Sequence, residues 1–163
     1  MTSALNLARL AALVAIFGFF LPWAEVSCSG QPLAHETGIE LITGGGAAAP
    51  AHHDLWVAAS LGLIVVGLAG CFVARGRRAA VVLMAAAFAA TAASLIGVSQ
   101  EVPSAEAQAQ LAAGPSGGDA SAGEFIRAKL EYGYFVTLGG LIVAIAGAGL
   151  ALAGQRSAGR EPE

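Results

Sequence analysis

The chain has 163 residues, 56% of them hydrophobic and only 12% charged, with a formal net charge of −3. Soluble domains carry about 25% charged residues, so an ordinary water-soluble domain is excluded. Eight basic residues against eleven acidic ones leave no basic surface on which a nucleic acid would be expected to bind.

Four apolar segments fill the chain: Leu5–Trp23, Leu55–Ala74, Ala79–Val98 and Gly133–Ala153. Each has roughly the 20 residues needed to cross about 30 Å of hydrocarbon. The expected fold is an all-α membrane protein, a single domain over residues 1–163. It is a four-helix up-down-up-down bundle with a small outer cap. Abundant alanine and glycine, with seven arginines and one lysine, suggest a GC-rich bacterial genome.

The first segment has a short basic start ending at Arg9 and an apolar run, Leu10–Leu21. No small-x-small cleavage site follows, so it reads as a retained helix rather than a signal peptide. Glu25 stands where a lipoprotein signal ending at Cys28 would carry an apolar residue. Residues 24–54 form the first long connection. Alternation over Glu25–Ser29, a turn at Gly30-Gln31 and a return over Pro32–Thr37 predict a small hairpin. Gly38–Ile42 is a short apolar stretch expected to lie on the bundle. Gly44–Pro50 reads as a flexible connector. Asp54 or His53 is the expected N-cap of the second segment.

The link Arg75–Arg78 is so short that the second and third segments must be antiparallel neighbours. Small residues recur every four positions at Ala85, Ala89, Ala93 and Gly97, and again at Gly140, Ala144 and Ala148. They are the candidate packing or interaction faces, serving either the bundle's interior or a partner's helix. In the second long connection, Ser104–Ala113 is helix-prone and stops at Gly114-Pro115, and Ser116–Ala122 reads as mobile. Ser121 with Glu124 matches a capping box, which predicts a helix over Gly123–Glu131. Trp23, Trp56, Tyr132 and Tyr134 fall at one end of the spans, as interfacial aromatics do.

Arg9, Arg75, Arg77, Arg78, Arg156 and Arg160 share one side of a four-pass layout. The other side has only Arg127 and Lys129 and nine of the eleven acidic residues. The basic side is cytoplasmic, so the chain is expected in a bacterial inner membrane with both termini on the cytoplasmic side. Arg75, Arg77 and Arg78 are also candidates for anionic lipid headgroups, although topology alone suffices to account for them.

Chemistry is sparse. His35, His52 and His53, with Glu36 and Asp54, are the only metal-ligand types gathered in one segment. Adjacent histidines rarely converge on one ion and no H-x-x-x-H pair exists, so no metal site is expected. Cys28 and Cys71 fall at opposite ends of the spans, too far apart to pair. Cys71 reads as a packing residue, and Cys28 as either a free thiol or a link to another chain. There is no C-x-x-C, no histidine inside a span and no nucleotide or hydrolase motif. No cofactor and no catalytic residue is expected. Ser60, Thr91, Ser94 and Thr137 are the most polar residues within the spans, where they are expected to satisfy local or interhelical hydrogen bonds.

Leu21-Pro22-Trp23-Ala24-Glu25-Val26-Ser27-Cys28-Ser29-Gly30-Gln31, followed by Thr37–Gly44, resembles a group of uncharacterised small bacterial four-helix membrane proteins. In these a Pro-Trp helix end precedes V-S-C-x-G-Q and a Gly-x-x-Leu-x-Thr-Gly segment. The resemblance covers about 25 residues and implies the four-span layout but no activity. The layout is also similar to that of claudin-like proteins, which carry a cysteine pair where this chain has only Cys28; this is an analogy of architecture. The leading expectation is a non-catalytic accessory or scaffold subunit that packs against other membrane subunits or itself. A small oligomeric transporter or channel component is the alternative, and an outer-face sensor or metal-dependent protein using the histidines the third.

Overall fold

The computed structural model describes residues 2–28, 31–44, 54–74, 76–112 and 126–158. They form α1 (Thr2–Gly18), β1 (Pro22–Cys28), β2 (Gln31–Thr37), α2 (Gly38–Thr43), α3 (Leu55–Val73), α4 (Arg77–Ala112), β3 (Ile126–Leu130) and α5 (Tyr132–Ala158). The protein is mostly helical. Three stretches, Leu55–Val73, Arg77–Ser99 and Tyr132–Gln155, are long and apolar enough to cross a membrane, and α1 is a shorter apolar helix.

α1 packs chiefly on α5, α3 on α4, and α4 on α5, whereas α1 and α3 touch lightly. Both main pairs are antiparallel. Gly18, at the end of α1, abuts Thr137 near the start of α5, while Gly147 further along α5 lies against Ala4 and Ala8. In the other pair, Gly97 of α4 meets Asp54 and Val57 at the start of α3, and Gly70 near its end meets Val82. The interior is built from small side chains. Ala8, Ala12, Ala15, Ala90, Ala144 and Ala148 are almost wholly buried. Leu83, Leu141 and Ile64 are buried among them, but many bulky residues point outward: Phe17, Val66, Phe88, Ile142 and Leu150 are all more than half exposed. Water would penalise that arrangement at about 25 cal/mol per Å² of apolar surface. Hydrocarbon does not, and close backbone approach between small residues is how helices associate in lipid.

Three differences from the sequence expectation concern the elements, two of them their boundaries. The first helix ends at Gly18, before Trp23; residues 19–21 turn, and Trp23 lies in β1. The third continues through Pro103 to Ala112, so Ser104–Ala112 extends α4 instead of forming a helix of its own. The thirteen residues after Ser99 carry α4 about 20 Å beyond the apolar stretch. The third difference is a change of type: Ile126–Leu130 is a strand, not part of a helix. Ser121 and Glu124 lie outside the described residues.

The hairpin expected over residues 25–37 is present as β1 and β2, and β3 completes an antiparallel sheet of order β2-β1-β3. The register Ala24↔Leu130 through Cys28↔Ile126 ties the two long connections together. β1 offers a free row of backbone donors and acceptors, and Ile126, Ala128 and Leu130 alternate as a strand requires. Those long-range hydrogen bonds outweigh the local helical signal.

Candidate functional site

Two places concentrate the polar and aromatic residues: the cap above the bundle and the opposite end, where α3 turns into α4. In the cap, Pro22 pairs with Thr37 and Ala24 with Glu36, which makes Trp23 the extra residue of a β-bulge. Bulges re-aim side chains, and here the indole turns into the core, 1% exposed. Its Nε1–H donates to the Gly18 carbonyl at 2.9 Å, which also accepts from the Leu21 N–H in the turn after α1. Its ring lies 4.7 Å from Phe19 and meets Tyr134 edge-on at 5.5 Å. The second bulge places Leu33 opposite no partner, beside Pro32, which has no N–H to give to the ladder.

α2 is held against this cluster by a reciprocal cap. Thr37 Oγ1 accepts from the Glu40 N–H, and Glu40 Oε2 accepts from the Thr37 N–H at 2.7 Å. Gly44 closes the helix with φ 70°, a conformation that favours glycine. A Cβ on Gly38 would sit 2.9 Å from the Trp23 ring. Ile39, Leu41 and Ile42 pack on the core, as their apolar run suggests. The Asp54 N–H donates to the Leu41 carbonyl, and Asp54 Oδ1 accepts from the N–H groups of Trp56 and Val57, so Asp54 is the N-cap of α3.

Across the exposed part of the sheet, Glu25 stands opposite His35 on β2 and Lys129 on β3. His35 is exposed, and Glu36 is half-buried. His52 and His53 lie outside the described residues. Among the described residues no three His, Cys, Asp or Glu side chains gather as a metal site would require. Of the four aromatics expected at the interface, Trp23 and Tyr134 are buried in the cap cluster, while Trp56 and Tyr132 are 43% and 54% exposed.

Inside the bundle the hydroxyls satisfy themselves. Ser60 Oγ donates to the Ala90 carbonyl and lies 2.7 Å from Ser94 Oγ. Thr91 donates to the Ala87 carbonyl, and Thr137 to that of Gly133. The glycine-alanine face of α5 is internal: Gly140 lies against Ala11 and Ala15 of α1, and Ala144 and Ala148 are fully buried. The α4 series divides, with Ala93 and Gly97 buried and Ala85 and Ala89 exposed.

At the far end, Arg9 is the residue whose role sequence reasoning missed. Counted only as a topological charge, it sits halfway along α1. Its guanidinium donates to the Cys71 carbonyl at 3.0 Å and to Cys71 Sγ at 3.3 Å, and lies 4.9 Å from the centre of the Phe72 ring. It therefore caps the C-terminal end of α3, where a cation complements the helix dipole. Cys71 itself is fully buried. Arg77 and Arg78 are exposed on the first turn of α4, and Arg75 lies outside the described residues. The structure offers anchoring surfaces and packed faces. No protein-family model matches the chain, and no curated protein matches it significantly.

Proposed function

We propose that the chain is a four-span protein of a bacterial inner membrane, with both termini cytoplasmic, serving as a non-catalytic accessory or scaffold subunit of a larger membrane assembly. In this reading α1 crosses together with the three longer helices. Its 17 residues are at the short end of what spans a bilayer, and the Phe19–Leu21 turn continues it into the cap. The carrying observation is the division of labour between interior and cap. The described helix interior is rich in alanine and glycine, with a few large aliphatic residues such as Ile64, Leu83 and Leu141 and hydroxyls that bond within the bundle, whereas the cap draws on both long connections and presents charged side chains on a sheet. A scaffold needs a rigid membrane body and a distinctive exposed face, and this chain invests its specific residues in that face.

Affinity purification from native membranes in mild detergent, followed by mass spectrometry, tests this. The expected result is a stoichiometric partner from one membrane complex. A monomer that retains no partner would remove the proposal. A clean homo-oligomer would replace it with a pore formed between protomers, to be followed by flux measurements in vesicles.

A further inference from the structure

We propose that the depression where α3 ends and α4 begins binds the headgroup of an anionic glycerophospholipid. This depression, about 710 Å³, is lined by Gly70, Val73, Ala74, Arg77 and Arg78. Among the described residues no carboxylate pairs with either arginine, and the first turn of α4 holds no acidic residue. The helix dipole opposes cations at this end, so, among the described residues, both guanidiniums stand without a counter-anion. The carbonyl end of α3, the other charged group nearby, already has Arg9. Guanidinium groups bind phosphate oxygens in a bidentate manner, and two of them on one rim suit a phosphodiester.

The walls decide between a lipid and a free anion. Val73 is 86% exposed, and Val66, two turns before it on the same face of α3, is 68% exposed. Val81 and Val82, one turn after the arginines on α4, are also exposed. An apolar track thus runs from the depression along both helices toward the middle of the bundle, as acyl chains below a bound headgroup would require. Gly70 keeps the floor low: a Cβ there would already press on Val82 at 3.0 Å.

The inference rests on the membrane-spanning reading but not on the subunit role. Its test is native mass spectrometry of the purified, delipidated full chain in detergent, titrated with dioleoyl-phosphatidylglycerol, dioleoyl-phosphatidylcholine or inorganic phosphate. Saturable one-to-one binding of phosphatidylglycerol is expected, at least tenfold tighter than phosphatidylcholine. Arg77→Gln/Arg78→Gln should weaken it about tenfold. Val73→Trp, which covers the depression from an exposed position and leaves both charges intact, should weaken it at least fivefold. Equal binding of the two lipids, or phosphatidylglycerol binding unchanged in either variant, overturns the proposal. Inorganic phosphate competing at equal concentration would show a free-anion site and likewise overturn it. Carbonate extraction of native membranes separates the two readings. Release of the chain overturns the spanning reading and this one together; a retained chain that fails the titration loses only the lipid site.

Discussion

Gly38 shows how much of the cap depends on a missing atom. The indole of Trp23 occupies the space a side chain would fill, so Gly38→Ala must displace either the ring or α2. Overpacking of this kind costs about 1–3 kcal/mol, and thermal unfolding in detergent should register it. Arg9 makes a different kind of contribution: it holds the last turn of α3 and screens Cys71. In the folded protein Cys71 should resist maleimide until denaturant is added. Arg9→Gln should speed its labelling and lower stability by about 1.5–3 kcal/mol, the range for a hydrogen bond to a charged group. If labelling of the variant stays as slow as in the parent protein, Arg9 does not guard that helix end.

Among the elements, α2 is the smallest and the most dependent on its ends. Six residues do not hold a helix by propensity; the Thr37–Glu40 pair, Gly44 and burial of its apolar side do. Thr37→Ala should cost about 1 kcal/mol, seen as faster hydrogen exchange of the Ile39–Thr43 amides with the long helices unaffected. The apolar run of this element was read as lying on the bundle, but its helical ends were not: Thr-x-x-Glu and the closing glycine stand in the chain as cap signals, and Gly44 was read instead as part of a connector. The hairpin was legible too, from alternation and a turn. The third strand was not. Phe125, Ile126 and Leu130 fit a helical stripe as well as a strand, and only the free edge of β1, about a hundred residues earlier in the chain, decides between them. The role of Trp23 was also hidden, because the bulge that turns it inward is a property of pairing. Helix faces were half legible. An unbroken four-residue series drifts about 40° per step around a helix. The buried positions of α3 instead follow alternating steps of three and four: Val57, Ser60, Ile64, Gly67 and Cys71. That is the spacing of side chains fitting between those of a facing helix. It explains why Ala85 and Ala89 face outward while Ala93 and Gly97, in the same series, face inward.

For the whole molecule, the arrangement is a bundle filled with small residues and coated with large ones. Its stability should depend on glycines at crossings and be indifferent to glycines on the coat. Gly140 and Gly139 are neighbours that test this. A Cβ on Gly140 would press on the α1 backbone at Ala11 and Ala15, whereas one on Gly139 would meet nothing within 4 Å. Gly140→Leu should separate α1 from α5 and cost about 3 kcal/mol or more; Gly139→Leu should be near neutral. Equal effects would mean that α1 does not pack on α5 through this face.

The sheet also sets a clock. Its central strand directly follows the first helix, and the partner strand on one side directly precedes the last. At synthesis rates of about 5–20 residues per second, β1 waits on the order of 5–20 s with one edge unpaired while the intervening chain is made. The edge closes only when the residues before α5 pair with those after α1. Until β3 is made, β1 therefore keeps one strand edge open, and a chain stalled before residue 126 exposes a pairing edge that the finished sheet covers.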